Sequence, residues 1–133
     1  SSVESACEKL GGETLDDDGP FWRAVREHER PFFAQSDRPL WRISVPPAAP
    51  MLDIDGECVI DWGGAQRWVQ TDMEAVALRR VAKEAGGHAT VYRGEAQPRF
   101  HPMGESILAL QQRLKKSMDP AGILNPGRIY PEL

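Results

Sequence analysis

Apolar positions recur along this chain with two different periods, and the switches between them mark out its elements. Residues 3–10 predict a short helix, stopped by Gly11-Gly12. Residues 13–19 read as a polar loop. Phe21, Trp22 and Val25 share one side of a second helix over about 20–30, with Asp18 or Gly19 as its cap and Pro20 in its first turn. Pro31 ends it, and Phe32 and Phe33 follow as anchors under a loop.

The period then falls to two. Over Leu40–Val45, the residues Trp41, Ile43 and Val45 face one way and Leu40, Arg42 and Ser44 the other. Pro46, Pro47 and Pro50 break this strand and force an extended connection to about Gly56. Glu57–Trp62 and Ala65–Thr71 predict a hairpin around Gly63-Gly64, since primed turns need positive φ. A two-residue turn pairs Ile60 with Arg67 and Cys58 with Val69. One face then reads Cys58, Ile60, Trp62, Ala65, Arg67, Val69, and the other carries Val59 and Trp68.

Thr71-Asp72-Met73-Glu74 has the spacing of a capping box, and the helix after it runs to Gly86-Gly87. His88–Arg93 predicts a fourth strand, and residues 94–103 a loop. A last helix over about 105–118 carries Ile107, Leu110, Leu114 and Met118 on one side and ends before Pro120. The order β–link–β–β–α–β–α predicts an α+β fold. It is a ferredoxin-like antiparallel sheet with helices packed on one face and extra helices at both ends. The proline-broken first crossover stands where such a fold normally has a helix.

Composition narrows the picture. At 133 residues one domain is expected. A net charge of −4 argues against a nucleic-acid binder. No apolar run is long enough to span a membrane, and no signal-peptide pattern opens the chain. Cys7 and Cys58, isolated from each other, read as buried or idle thiols of a reducing compartment, with a disulfide or metal pair as the alternative. Nucleotide-loop, nucleophile-elbow and zinc motifs are absent, so neither a catalytic residue nor a metal site is expected. His28 reads as a solvated helix residue and His88 as a strand-start residue. His101, between Phe100 and Pro102 in a loop, is a candidate for substrate contact or proton relay.

Arg67 is the anomaly of the hairpin. A guanidinium on an apolar face must be paired or must line a pocket, where it would grip a carboxylate or phosphate. Arg42 reads as a surface charge unless its face meets a cofactor or a partner. Val59 and Trp68 make the second face a candidate contact surface. The run Asp119-Pro120-Ala121-Gly122-Ile123-Leu124-Asn125-Pro126-Gly127-Arg128 is a series of turns around two apolar residues, so the tail is expected to dock. The Asn125 amide, both donor and acceptor, suits the edge of a heterocycle.

At this run the chain resembles the carboxyl end of flavin-linked oxidases of the vanillyl-alcohol-oxidase type. Leu40–Pro46, Asp61–Trp68, Gly86–Thr90 and Asn125–Pro131 look, within that superfamily, like the FAD-binding (E) subunit of bacterial glycolate oxidase. The resemblance implies that residues 1–133 are a single carboxyl-terminal cap domain, with the amino-terminal FAD-binding domain absent. It implies FAD as cofactor, with Asn125, Pro126 and Gly127 on the cofactor side. The implied reaction is oxidation of a small 2-hydroxy acid, glycolate to glyoxylate, with hydride passing to the flavin. Arg67, Arg42 and His101 are then candidates for substrate binding. The implied partners are a homologous flavin subunit and an iron–sulfur subunit, in the cytoplasm and at the membrane only through the complex. On this reading the chain alone is colourless and inactive. Two other readings are a non-catalytic subunit-interaction module and a free-standing ligand-binding domain.

Overall fold

The computed structural model describes residues 2–11, 17–34 and 36–133. Gly12 of the expected helix stop and residues 13–16 of the expected loop lie outside that set. The chain divides into two units, Ser1–Gln35 and Ser36–Leu133.

The first unit is helical. In α1 (Ser2–Leu10) no residue is buried, and the helix closes with the Gly11 N–H donating to the Cys7 carbonyl at 2.9 Å. Helix α2 (Gly19–Arg26) stops earlier than predicted, because the chain turns at His28, where φ is +58°. The Asp18 side chain does not cap it; its carboxylate accepts from the Trp22 indole at 3.0 Å. His28 is therefore not a residue of this helix. Its ring stacks on Phe33 with centroids 4.1 Å apart. Phe32 and Phe33, expected under a loop, belong to a helical turn of their own, α3 (Pro31–Ala34). Pro31 opens this turn, where its missing N–H costs nothing.

The second unit carries a four-stranded antiparallel sheet. Strands β1 (Leu40–Ser44), β2 (Glu57–Asp61), β3 (Gln66–Gln70) and β4 (His88–Arg93) lie in the order β2-β3-β1-β4. That is the expected strand order of a split βαβ sheet. The second crossover is a helix, α4 (Ala75–Glu84); the first, residues 45–56, contains none. Helix α5 (Glu105–Met118) follows β4.

The strand alternation produces the core. Trp41 stands opposite Val69 and Val91, and Ile43 opposite Arg67 and Ala89, so these side chains share a face. Leu78 and Ala82 of α4, one turn apart, close over it, and all these apolar residues are buried. Each large one contributes roughly 2 kcal/mol by leaving water. Helix α4 packs on β4, at the opposite edge from β2. Ile60 and Cys58 consequently stay exposed, although they share a face with buried Arg67 and Val69.

The hairpin register is the expected one, with Ile60 opposite Arg67 and Cys58 opposite Val69. Its strands stop one residue short at each side. Trp62–Ala65 form a turn closed by the Ala65 N–H on the Trp62 carbonyl at 3.2 Å, with φ of +61° at Gly63 and +98° at Gly64. The capping box does not form. Thr71 instead gives its hydroxyl to the Asp55 carbonyl (2.5 Å) and accepts from the Met73 N–H (3.1 Å), so α4 begins after Glu74 without a side-chain cap. Its other end is as expected. The N–H groups of Gly86 and Gly87 bond back to Lys83 and Ala82, the double bond of a Schellman stop.

Helix α5 spans the predicted residues, but none of them is buried. Ile107, Leu110, Leu114 and Met118 are exposed or half-exposed to solvent. Cys7 and Cys58 are both free and exposed. No helix among the described residues is long and apolar enough to cross a membrane.

Candidate functional site

The tail after α5 is built around Asp119. Its carboxylate is buried at the helix end. It accepts from the backbone N–H groups of Leu124 (2.9 Å) and Ile123 (3.1 Å) and from Lys115 Nζ (3.0 Å). Lys115 also donates to the Leu124 carbonyl at 2.7 Å. The Leu124 N–H bond, then Lys115 and the Ile123 N–H, hold the Asp119 carboxyl below the usual carboxylate range, against the opposing effect of burial. One acid thus fixes a turn that ends at Asn125.

Beyond that turn the chain folds back on itself. Asn125 sits at φ +46°, and its carbonyl accepts from the Arg128 N–H at 3.3 Å. The Gly127 N–H reaches the Leu133 carbonyl at 2.6 Å, and the Leu133 N–H reaches the Tyr130 carbonyl at 3.0 Å. Between this hook and α5 lies a pocket of about 560 Å³, lined by Met103, Gln111, Lys115, Asn125, Arg128 and Tyr130 among others. It is mainly apolar, with two cations, Lys115 and Arg128, and two amides, Gln111 and Asn125, at its wall. That combination suits the polar edge of a flat ring.

The sequence-predicted residues are not gathered into one place. Asn125 lines the pocket; Gly127 shapes the hook; Pro126 is exposed. His101 meets the tail through its backbone, whose carbonyl accepts from the Tyr130 hydroxyl at 2.9 Å. Its imidazole points to the sheet, where Nδ1 accepts from the Ala89 N–H at 3.3 Å. Burial first, then the positive charges of Arg79, His88 and Lys83, hold His101 below its ordinary value.

Arg67 is 3% exposed, on the core face. Each guanidinium nitrogen already donates to a carbonyl: Nη1 to Pro50 (2.6 Å), Nη2 to Ala49 (2.6 Å) and Nε to Gly64 (3.4 Å). It fastens the proline link and the hairpin turn to the sheet. Arg42 stands exposed on the other face, opposite Trp68 and Thr90. Trp68, the expected contact residue of that face, is only 6% exposed and meets Tyr92 edge to face at 4.9 Å. The exposed tryptophan of the hairpin is Trp62.

Several residues that shape the site escaped sequence reasoning. Lys115 and Asp119, four apart, are a helix-end ion pair whose spacing was visible. Arg79 gave no such signal. It is buried against the Trp41 ring, its Nη2 donates to the Pro98 carbonyl, and its Nε has no partner. Among the described residues no group of three or more metal-ligating side chains comes together.

FAD is the cofactor the resemblance implies, and the pocket can be tested against it. The site offers two amides, two cations and an apolar wall to a ring edge. It offers no glycine-rich phosphate loop. The residues present thus fit one edge of a flavin ring rather than the whole dinucleotide.

No family model matches the chain, and no solved structure does. Over 132 residues it is 46% identical to glycolate oxidase subunit GlcE of Escherichia coli (strain K12). The alignment covers 99% of this chain and 37% of that protein. Along almost all of its length, then, this chain is a relative of a stretch of glycolate oxidase subunit GlcE, a stretch amounting to 37% of that protein.

Proposed function

We propose that residues 1–133 act as the carboxyl-terminal cap lobe of a flavin-dependent 2-hydroxy-acid oxidoreductase subunit of the glycolate oxidase type. The observation that carries this reading is the built tail: Asp119 and Lys115 spend their polar atoms on the turn that delivers Asn125 to the pocket wall. When bound, FAD supplies the hydride acceptor for oxidation of glycolate to glyoxylate.

In this role Asn125 hydrogen-bonds the ring edge and Arg128 favours electron-rich ring oxygens, while Lys115, paired with Asp119, holds the turn. Pro126 and Gly127 set the hook. His101 positions the tail through Tyr130, and Arg67 braces the sheet, so neither is left for direct contact with a substrate. Arg42, exposed and charged, is free to meet a carboxylate. The uncovered stripe of α5 favours a second role within the same reading, docking onto a flavin-bearing lobe. A homologous flavin subunit and an iron–sulfur subunit are the proposed further partners, with the assembly in the cytoplasm.

A segment exchange tests the proposal. The matching stretch of E. coli GlcE is replaced by this chain, and flavin content and glycolate oxidation are measured. The exchanged protein should retain both, and Asn125→Ala should lower flavin content. Full flavin content and turnover with Asn125→Ala would remove the tail from the cofactor site. An exchanged protein that folds but oxidises no glycolate would remove the functional assignment.

A further inference from the structure

His101 joins two parts of the second unit by two bonds, one at its imidazole, which depends on its protonation state, and one at its backbone carbonyl, which does not. β4 is the last strand of the sheet, so one of its edges has no strand beside it. Loop 94–103 covers that edge. The Val91 N–H goes to the Arg99 carbonyl (2.9 Å), and the Ala89 N–H goes to His101 Nδ1 (3.3 Å). An imidazole nitrogen thus takes the place of a ladder carbonyl. On the other side, the His101 carbonyl holds the Tyr130 hydroxyl at 2.9 Å. From Tyr130 the hook continues through Leu133 to Gly127, beside Asn125.

The acceptor role requires a lone pair on Nδ1. Neutral imidazole has one, with the proton on Nε2; imidazolium has none, since both nitrogens are donors. Protonation would set the Nδ1 proton against the Ala89 N–H, and that bond would be lost. The groups facing His101 are Arg79 and Lys83 from α4, His88 from β4 with its ring centroid 6.4 Å away, and the Tyr130 hydroxyl from the tail. The three charges acting on it are all positive, so none of them would hold the imidazolium in place.

We propose that His101 is an acid-operated latch: neutral, it clamps the far end of loop 94–103 to β4 and so fixes the carbonyl that holds Tyr130 and the tail hook; protonated, it frees that end, and the hook shifts with it. His101 is a positioning residue on this view, and the pocket wall is what it positions. The latch stands on bonds within this chain and does not require the flavin reading.

Nuclear magnetic resonance on the chain tests it, following imidazole nitrogens and backbone amides through an acid titration. At neutral pH His101 should carry its proton on Nε2. On acidification the Ala89, Tyr130 and Leu133 amides should shift with the His101 midpoint, not with that of His88. His101→Gln, whose side-chain carbonyl can accept from Ala89, should lose these shifts, and His88→Gln should keep them. A proton on Nδ1 at neutral pH would overturn the proposal. So would tail amides that stay still while His101 takes its proton, or that follow His88. These outcomes are read in the unsubstituted chain and do not depend on whether His101→Gln folds.

Discussion

At the scale of single residues, one buried polar group does different work from what its type suggests. Arg67 looked like an anion receptor because a guanidinium stood out on an apolar strand face. The anomaly was legible; its resolution was not, because the carbonyls it binds belong to a proline link with no periodicity. Arg67→Met keeps the apolar stem and strands those carbonyls, so it should cost about 2 kcal/mol of stability, read as a lower urea midpoint. Asp119 gives a pH dependence of known sign. Its carboxyl is held below the ordinary 3.8, so its support for the tail is present above that value and is lost as the pH falls through the lowered one. His101 works in a higher window. Its value in the folded chain lies below the ordinary 6.5, so the unfolded chain takes the proton first. Stability should therefore fall as the pH drops below 6.5 and level off beneath the lowered value. Denaturation at stepped pH should show this upper window, and His101→Gln should remove it.

Among elements, the strands and the two long helices were readable because their periods are strict and their ends carry glycine or proline. Gly63-Gly64 fixed the hairpin register through turn chemistry alone. The capping box failed because Thr71 is claimed by the Asp55 carbonyl across the sheet, a partner sixteen residues away that local spacing does not reveal. Gly87 shows a second hidden constraint. A Cβ there would stand 2.0 Å from the Ser44 carbonyl oxygen, so the helix stop and the start of β4 share one tight passage past β1. Gly87→Ala should cost at least 1–3 kcal/mol, about the cost of overpacking a core, and calorimetry would show it as a lowered Tm. Helix α5 is the opposite case. Its stripe was read correctly as a stripe, but a sequence does not say which surface a stripe will meet. Leu110 and Leu114 are half-exposed here. Leu110→Lys should change the stability of this chain by no more than about 0.5 kcal/mol, yet disrupt folding or flavin retention in the exchanged GlcE. Equal tolerance in both settings would deny the stripe a docking role.

For the molecule as a whole, the sheet order, the built tail and the uncovered helix point the same way. A stable core lies under α4, and a separate apolar surface with an anchored pocket is left open beside it. The chain accounts for 37% of the length of its relative. The central claim is that this chain contributes one wall to a flavin site whose remainder lies elsewhere. The visible spectrum tests it most directly, compared between the purified chain and GlcE carrying the chain in place of its matching stretch. The account predicts no flavin absorbance from the chain alone and a full flavin band from the exchanged protein. A chain that binds flavin stoichiometrically by itself, or a folded exchanged protein that purifies without colour, would contradict it.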